Sequence, residues 1–373
     1  MGSTLGKCQI CGTSSLLTSS SVGVCSSCLL RRTEEALAVT DRVHEESRAK
    51  FGLPARPPSD GLACGSCANN CRIPNGGMGY CGLVSNSQGS IRRRGGTPDS
   101  GILEWYYDRL PTNCVSWWFC PGCSGTGFPK YSYSSGMPEK GYNNLAVFYG
   151  SCSFDCLFCQ NWHYRRLATS DVPYVSSEAL ASRATKSVSC MCFFGGDPST
   201  QMPHALEASR LAIVNADDGH RILRICWETN GHMNSTYLDR AMHLSLQTGG
   251  NMKFDLKFSN EGLARGVCGI SNAQSLRNFD RAGRKCFEAR ANVPVLTAST
   301  LLIPGYVDEN EVGSIAEFIS SIDERIPYSL LAFYPQYMMN DLPATSREQA
   351  LLCRNAALKH LRQVRVGNEH LLV

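Results

Sequence analysis

From residue 145 onward the chain alternates two kinds of segment. Short apolar runs come at regular intervals: LAVFYG (145–150), VSCMCFF (188–194), RILRICWE (221–228), NMKFDLKF (251–258), VLTASTLLI (295–303), YSLLAF (328–333) and QVRVG (363–367). Between them lie longer stretches whose apolar residues recur at helical spacing: 176–186, 204–215, 235–246, 272–289, 310–322 and 347–361. Short apolar runs bounded by turn residues read as buried strands, and the intervening stretches as amphipathic helices. Regular strand–helix alternation predicts the α/β class, with a parallel sheet and crossover helices. Six or seven such units predict a (β/α) barrel, partial or nearly complete, over residues 145–373.

The strand ends carry the unusual residues. SCSFDCLFCQN follows the first run, GGDPSTQ the second, ETNGH the third, PGYVDENE the fifth, YPQY the sixth and GNEH the seventh. In a β/α barrel these positions share one mouth, where active sites sit. The fourth run holds Asp255 and Lys257 two residues apart, so both face the same side of the strand. Charges inside a barrel are costly unless paired or ligand-bound, which makes both candidates for binding.

Upstream the pattern weakens. Residues 1–52 comprise a Cys-bearing segment and a mixed-charge stretch (29–52) that reads as a solvated helix, and 53–61 read as a linker. Residues 62–125 are rich in Cys, Gly, Ser and Asn with little periodicity, so their order is expected to depend on bound metal. A net charge of +4 is too mild to argue for nucleic acid or an anionic membrane. No apolar run reaches bilayer length, and MGSTLGKC lacks the apolar core of a secretory signal, so a cytoplasmic protein is expected. Twenty cysteines in such a chain, many in close pairs, favour metal over disulfides.

Cys152-x3-Cys156-x2-Cys159 is the strongest motif. Iron–sulfur clusters usually take four Cys, so three thiolates on one loop leave one iron of a [4Fe–4S] cluster open. Placed after the first strand of a β/α barrel, the motif resembles the radical S-adenosylmethionine (SAM) superfamily. The resemblance implies that the open iron chelates SAM, that reductive cleavage gives a 5′-deoxyadenosyl radical, and that this radical takes hydrogen from a substrate. Phe158 stands where the family has an aromatic near adenine. Gly195, Gly196 and Asp197 resemble the Gly-Gly-acid motif that binds the SAM amino group. Glu228, Thr229, Asn230 and Gly231 resemble an Asp-Thr-Asn-Gly motif, with Glu in place of Asp, and Asp255-Leu-Lys257 resembles an Asp-Leu-Lys that contacts SAM. Residues 62–373 as a whole resemble the branch containing AmmeMemoRadiSam-system proteins and homologues of pyruvate formate-lyase activating enzyme. Tyr334 and Pro335 depart from it, standing where activating enzymes often carry His. The resemblance further implies reduced flavodoxin or ferredoxin as electron donor. It leaves open whether the substrate is a glycyl-radical enzyme, another protein or peptide, a nucleic acid or a small molecule.

The upstream cysteines add metal candidates. Cys8, Cys11, Cys25 and Cys28 have the two-knuckle spacing of a zinc ribbon. Cys64, Cys67, Cys71 and Cys81 offer four ligands for zinc or an auxiliary [4Fe–4S] cluster, and spacing does not decide between them. Cys114, Cys120 and Cys123 could join an auxiliary cluster or be thiols in a dry loop. Cys190, Cys192, Cys226, Cys268, Cys286 and Cys353 read as small core residues. The alternative to an enzyme is a zinc-binding protein or nucleic-acid interaction module built on the N-terminal ribbon.

Overall fold

A computed structural model describes residues 5–112, 114–170 and 174–373. The apolar runs all become strands. In chain order the main sheet contains β1 (Gly101–Arg109), β2 (Asn143–Tyr149), β3 (Tyr174–Val175), β4 (Val188–Gly195), β5 (Arg224–Thr229), β6 (Met252–Asp255), β7 (Leu296–Leu302), β8 (Tyr328–Ala332) and β9 (Val364–Gly367). Their spatial order is β9-β8-β7-β6-β5-β4-β2-β1-β3. From β2 to β9 each neighbour pairs in parallel. β1 runs antiparallel along β2, and β3 pairs antiparallel with β1. β9 and β3 are the two ends of the sheet, so the α/β barrel is partial.

β1 lies within the segment read from sequence as Cys-rich and aperiodic. Its centre, Trp105-Tyr106-Tyr107, is an aromatic run of the kind that suits a pleated surface.

The parallel strands are buried on both faces, as crossover helices require. Outward-facing Met191, Phe193, Ile225 and Trp227 have no exposed surface. Phe193 and Trp227 stack with centroids 4.7 Å apart, and Trp227 Nε1 donates to Ser245 Oγ of the helix Ser235–Thr248 at 3.1 Å. Each such side chain contributes about 1.5–3 kcal/mol by burial. The helices start and stop where the sequence supplies caps. Asp308 accepts from the backbone N–H groups of Asn310 and Glu311 at the start of Glu309–Ser320, and Gly249 (φ +82°) ends Ser235–Thr248. The stretch 272–289 differs from one expected helix: Ala273–Ala282 is α-helical, then the chain widens into a π-turn over Gly283–Phe287.

The N-terminal module is a two-stranded ribbon, Gly6–Lys7 with Ser14–Ser15, followed by α1 (Ser26–Arg31) and α2 (Thr33–Ala49). α2 is not the solvated helix its charge pattern suggests. Its face carrying Ala36, Leu37, Thr40, His44, Ser47 and Arg48 is buried, and His44, Ser47 and Arg48 meet Asp155 in the loop after β2. Among the described residues no helix is long and apolar enough to cross a membrane.

Candidate active site at the barrel mouth

The loop after β2 carries Cys152, Cys156 and Cys159 at the rim of a cavity of about 230 Å³. Phe158, Gly195, Gly196, Asp197, Glu228, Asn230, Asp255 and Lys257 line the same cavity. Thr229 lines it too, so these motif residues are brought to one place, while Gly231 is not among the lining residues.

The loop is held by a buried carboxylate that the sequence reading did not single out. Asp155, fully buried, accepts from Arg165 Nη2 (2.7 Å) and Nε (3.1 Å), from Ser47 Oγ (3.3 Å) and from His44 Nδ1 (3.0 Å). Arg48 Nη1 lies 3.7 Å away. Burial alone would raise the Asp155 carboxyl, but Arg165, His44 and Arg48 hold it well below the ordinary carboxylate range. The backbone N–H groups of Asp155 and Leu157 donate to the carbonyls of Cys268 and Val267. The three thiols therefore stand on a loop clamped from the N-terminal module and from the helix Glu261–Cys268. The signal available in the sequence was one acidic residue inside the Cys motif, followed by Arg165 ten positions later.

Glycine at Gly195 and Gly196 has a steric cause. Gly195 has φ +111°, and a Cβ there would lie 2.5 Å from Tyr149 N; one on Gly196 would lie 2.1 Å from Ser151 O. The two strand ends touch through bare backbone. Asp197 uses its carboxylate locally: it accepts from Ser199 N (2.7 Å), Asn230 N (2.6 Å) and Thr229 Oγ1 (3.1 Å). It ties the end of β4 to that of β5, and burial pushes its carboxyl up against those hydrogen bonds. Asn230 Nδ2 donates to Ser153 Oγ at 3.0 Å and lies 3.7 Å from Cys152 Sγ. Across the cavity Asp255 and Lys257 form an ion pair, with Lys257 Nζ 5.6 Å from the centre of the Phe158 ring. Burial opposes the Lys257 charge, and Asp255, together with Cys156 and Cys268, more than offsets it. Tyr334 is half exposed and is not among the cavity-lining residues.

The three thiols suit an iron–sulfur cluster better than a single ion. A tetrahedral Zn²⁺ with bonds of about 2.3 Å holds its sulfurs roughly 3.8 Å apart. Cys8, Cys11, Cys25 and Cys28 meet that spacing: all four Sγ lie within 4.8 Å of one another, with Cys8–Cys28 at 3.7 Å and Cys11–Cys25 at 3.9 Å. Among the described residues no other three Cys, His or acidic ligand atoms converge so closely. Cys152, Cys156 and Cys159 are thus spread for something larger than one ion. The same holds for Cys64, Cys67, Cys71 and Cys81, whose hairpin (Leu62–Ala63 with Arg72–Ile73) leans on the mouth. There Ala68 N donates to His232 O at 3.0 Å and Asn69 Nδ2 to Ser153 O at 2.8 Å.

A partial parallel barrel with three thiols on the first mouth loop and a polar, charged far wall defines a cofactor-binding α/β enzyme domain. The family is specific: the model of the radical SAM superfamily matches residues 146–319, so this part of the chain is a radical SAM domain. The uncharacterized protein MJ0808 of Methanocaldococcus jannaschii is 24% identical over 314 residues, covering 82% of this chain and 81% of its own. A protein of the same organism named "Putative glycyl-radical enzyme activating enzyme MJ1632" is 26% identical over 216 residues, covering 57% and 76%. Among solved structures, Streptococcus suis SuiB bound to S-adenosylmethionine has a TM-score of 0.43 at 12% identity, covering 61% of this chain and 51% of that one. This chain thus spans about half the length of SuiB. A domain of the pyruvate-formate lyase-activating enzyme from Bacteroides vulgatus has a TM-score of 0.36 at 19% identity, covering 48% and 98%.

Proposed function

We propose that the protein reductively cleaves SAM at a [4Fe–4S] cluster held by Cys152, Cys156 and Cys159 and uses the product to take hydrogen from a substrate. The single observation that carries this reading is the convergence of the three thiols, the bare Gly195–Gly196 backbone and the Asp255–Lys257 pair on one cavity. When bound, the cluster supplies one electron to SAM, and cleavage yields a 5′-deoxyadenosyl radical.

The chain's own residues do the rest. Asp155 and Arg165 fix the loop, which keeps the three cysteines at the cavity. Gly195 and Gly196 let the end of β4 pack bare against the end of β2 at the cavity wall, where the amino acid part of SAM would lie, and Asp197 holds that backbone against Asn230. Asp255 and Lys257 offer one charge of each sign to a zwitterionic ligand, and Phe158 offers a ring face to the adenine. Glu228 and Asn230 complete the wall on β5 and just beyond it. Reduced flavodoxin or ferredoxin is the expected electron donor.

Zinc at Cys8, Cys11, Cys25 and Cys28 fits the sulfur spacing and stabilises the module that supplies α2. An auxiliary cluster, rather than zinc, suits the wider set Cys64, Cys67, Cys71 and Cys81. For the substrate, the name of one archaeal relative supports activation of a glycyl-radical protein.

The test is chemical. Anaerobically reconstituted protein is reduced with dithionite in the presence of SAM, and 5′-deoxyadenosine and methionine are measured. Formation of both, lost in Cys156→Ala, supports the reading. Absence of both from protein with a full iron complement contradicts it.

A further inference from the structure

A second cavity, of about 120 Å³, lies deeper in the barrel and shares Phe194, Glu228 and Lys253 with the first. Six cysteines line it: Cys114, Cys120, Cys123, Cys190, Cys192 and Cys226. The last three were read from sequence as small core residues. They are buried, but strand alternation turns them inward together with Arg224, Glu228 and Lys253. The register places Cys190 beside Arg224, Cys192 beside Cys226 and Glu228 beside Lys253. A barrel interior is normally filled by branched apolar side chains, and here that layer is thiols and charges.

The other three thiols come from outside the parallel strands. The Cys120-Pro-Gly-Cys123 turn opens the short helix Pro121–Ser124 and presses on Arg224 so closely that a Cβ on Gly122 would lie 2.9 Å from Arg224 Nη2. Cys114 reaches the same space from the preceding loop. Two buried cations point at the sulfurs. Arg224 Nε donates to Cys190 Sγ at 3.2 Å, while its other nitrogens bind Glu139 at 2.7 and 2.8 Å. Lys253 Nζ donates to Cys114 Sγ at 3.2 Å and Cys192 Sγ at 3.3 Å, and lies 3.1 Å from Glu228 Oε1. N–H donors aimed at sulfur are one of the means by which a protein stabilises and tunes a thiolate-ligated cluster.

We propose that this cavity is a second metal centre, an iron–sulfur cluster of the four-cysteine type, with ligands drawn from these six thiols. Among the described residues no three of these sulfurs come as close as those of Cys8, Cys11, Cys25 and Cys28, so a cluster suits them better than a single tetrahedral ion. A structural disulfide would use two thiols and leave four facing two cations. The centre stands on the far side of Glu228 and Lys253 from the SAM cavity, so the two sites share a wall. It does not depend on what the first site does.

Anomalous diffraction at the iron edge from anaerobically grown crystals of the full chain tests the proposal without mutation. Iron between Cys120, Cys190 and Cys226 is expected. An iron-free cavity beside an occupied Cys152 site overturns it, as does a Cys120–Cys123 disulfide or a zinc signal there. In solution, Cys120→Ala/Cys123→Ala and Cys190→Ala/Cys226→Ala should each lose roughly two to four irons per chain and the matching acid-labile sulfide. The electron paramagnetic resonance signal that responds to SAM should remain. Folded double variants with unchanged iron overturn the assignment; should the variants not fold, the diffraction result decides.

Discussion

Replacing Asp155 with Asn should destabilise the protein strongly. The carboxylate is fully buried and faces Arg165, whose side chain is also fully buried, and Arg48, which is 1% exposed. Asn keeps the shape and one acceptor, yet leaves both guanidinium groups without a countercharge. Removing one partner of a buried ion pair costs about 3–5 kcal/mol. At roughly 2 °C per kcal/mol for a chain of this size, Tm should fall by about 6–10 °C. Calorimetry on anaerobic, metal-replete protein measures it. The pH dependence gives a second check. The Asp155 pKa is depressed in the folded state, so its stabilisation is full above the unfolded carboxyl pKa of about 3.9 and fades as pH falls through that value toward the folded one. The part of the gap between wild type and D155N that comes from the carboxylate should therefore narrow as pH falls below about 4. The loop also carries the cluster thiols, so iron content should fall. A variant within about 1 kcal/mol of wild type, with full iron, would refute the clamp.

Other changes test other parts of the account. Gly195→Ala forces a Cβ to within 2.5 Å of Tyr149 N at φ +111°, so SAM affinity should drop by at least tenfold in equilibrium binding while the sheet persists by circular dichroism. Cys8→Ser should lower zinc by about one per chain and destabilise the N-terminal module, read by metal analysis and limited proteolysis. Lys257→Met leaves Asp255 unpaired at the cavity and should weaken SAM binding by about 1–3 kcal/mol, measured by calorimetric titration, with cluster content unchanged.

Much of the fold was legible because strand and helix periods differ and the barrel repeats both. VSCMCFF and RICWE stand in the structure as strands, and the motif residues after them meet at one mouth as a β/α barrel requires. The same strands also concealed something. Cys190, Cys192, Arg224 and Cys226 occupy alternate, inward positions, and that alternation was visible in the letters. In the letters alone it reads as core filler, because cysteine packs like a small apolar residue and the facing thiols of Cys114, Cys120 and Cys123 come from a segment without periodicity. Asp155 was passed over for a related reason: its partners His44, Ser47 and Arg48 lie more than a hundred residues away on a helix whose charges suggested solvent. Local patterns report which face is apolar. They do not report which charges meet across the chain.

The most direct test of the central claim is the electron paramagnetic resonance spectrum of dithionite-reduced protein with and without SAM, in wild type and in Cys152→Ala/Cys156→Ala/Cys159→Ala. The account predicts a reduced-cluster signal that changes on adding SAM in wild type, and no SAM-responsive signal in the triple variant. A SAM-responsive signal that survives loss of all three cysteines would contradict it.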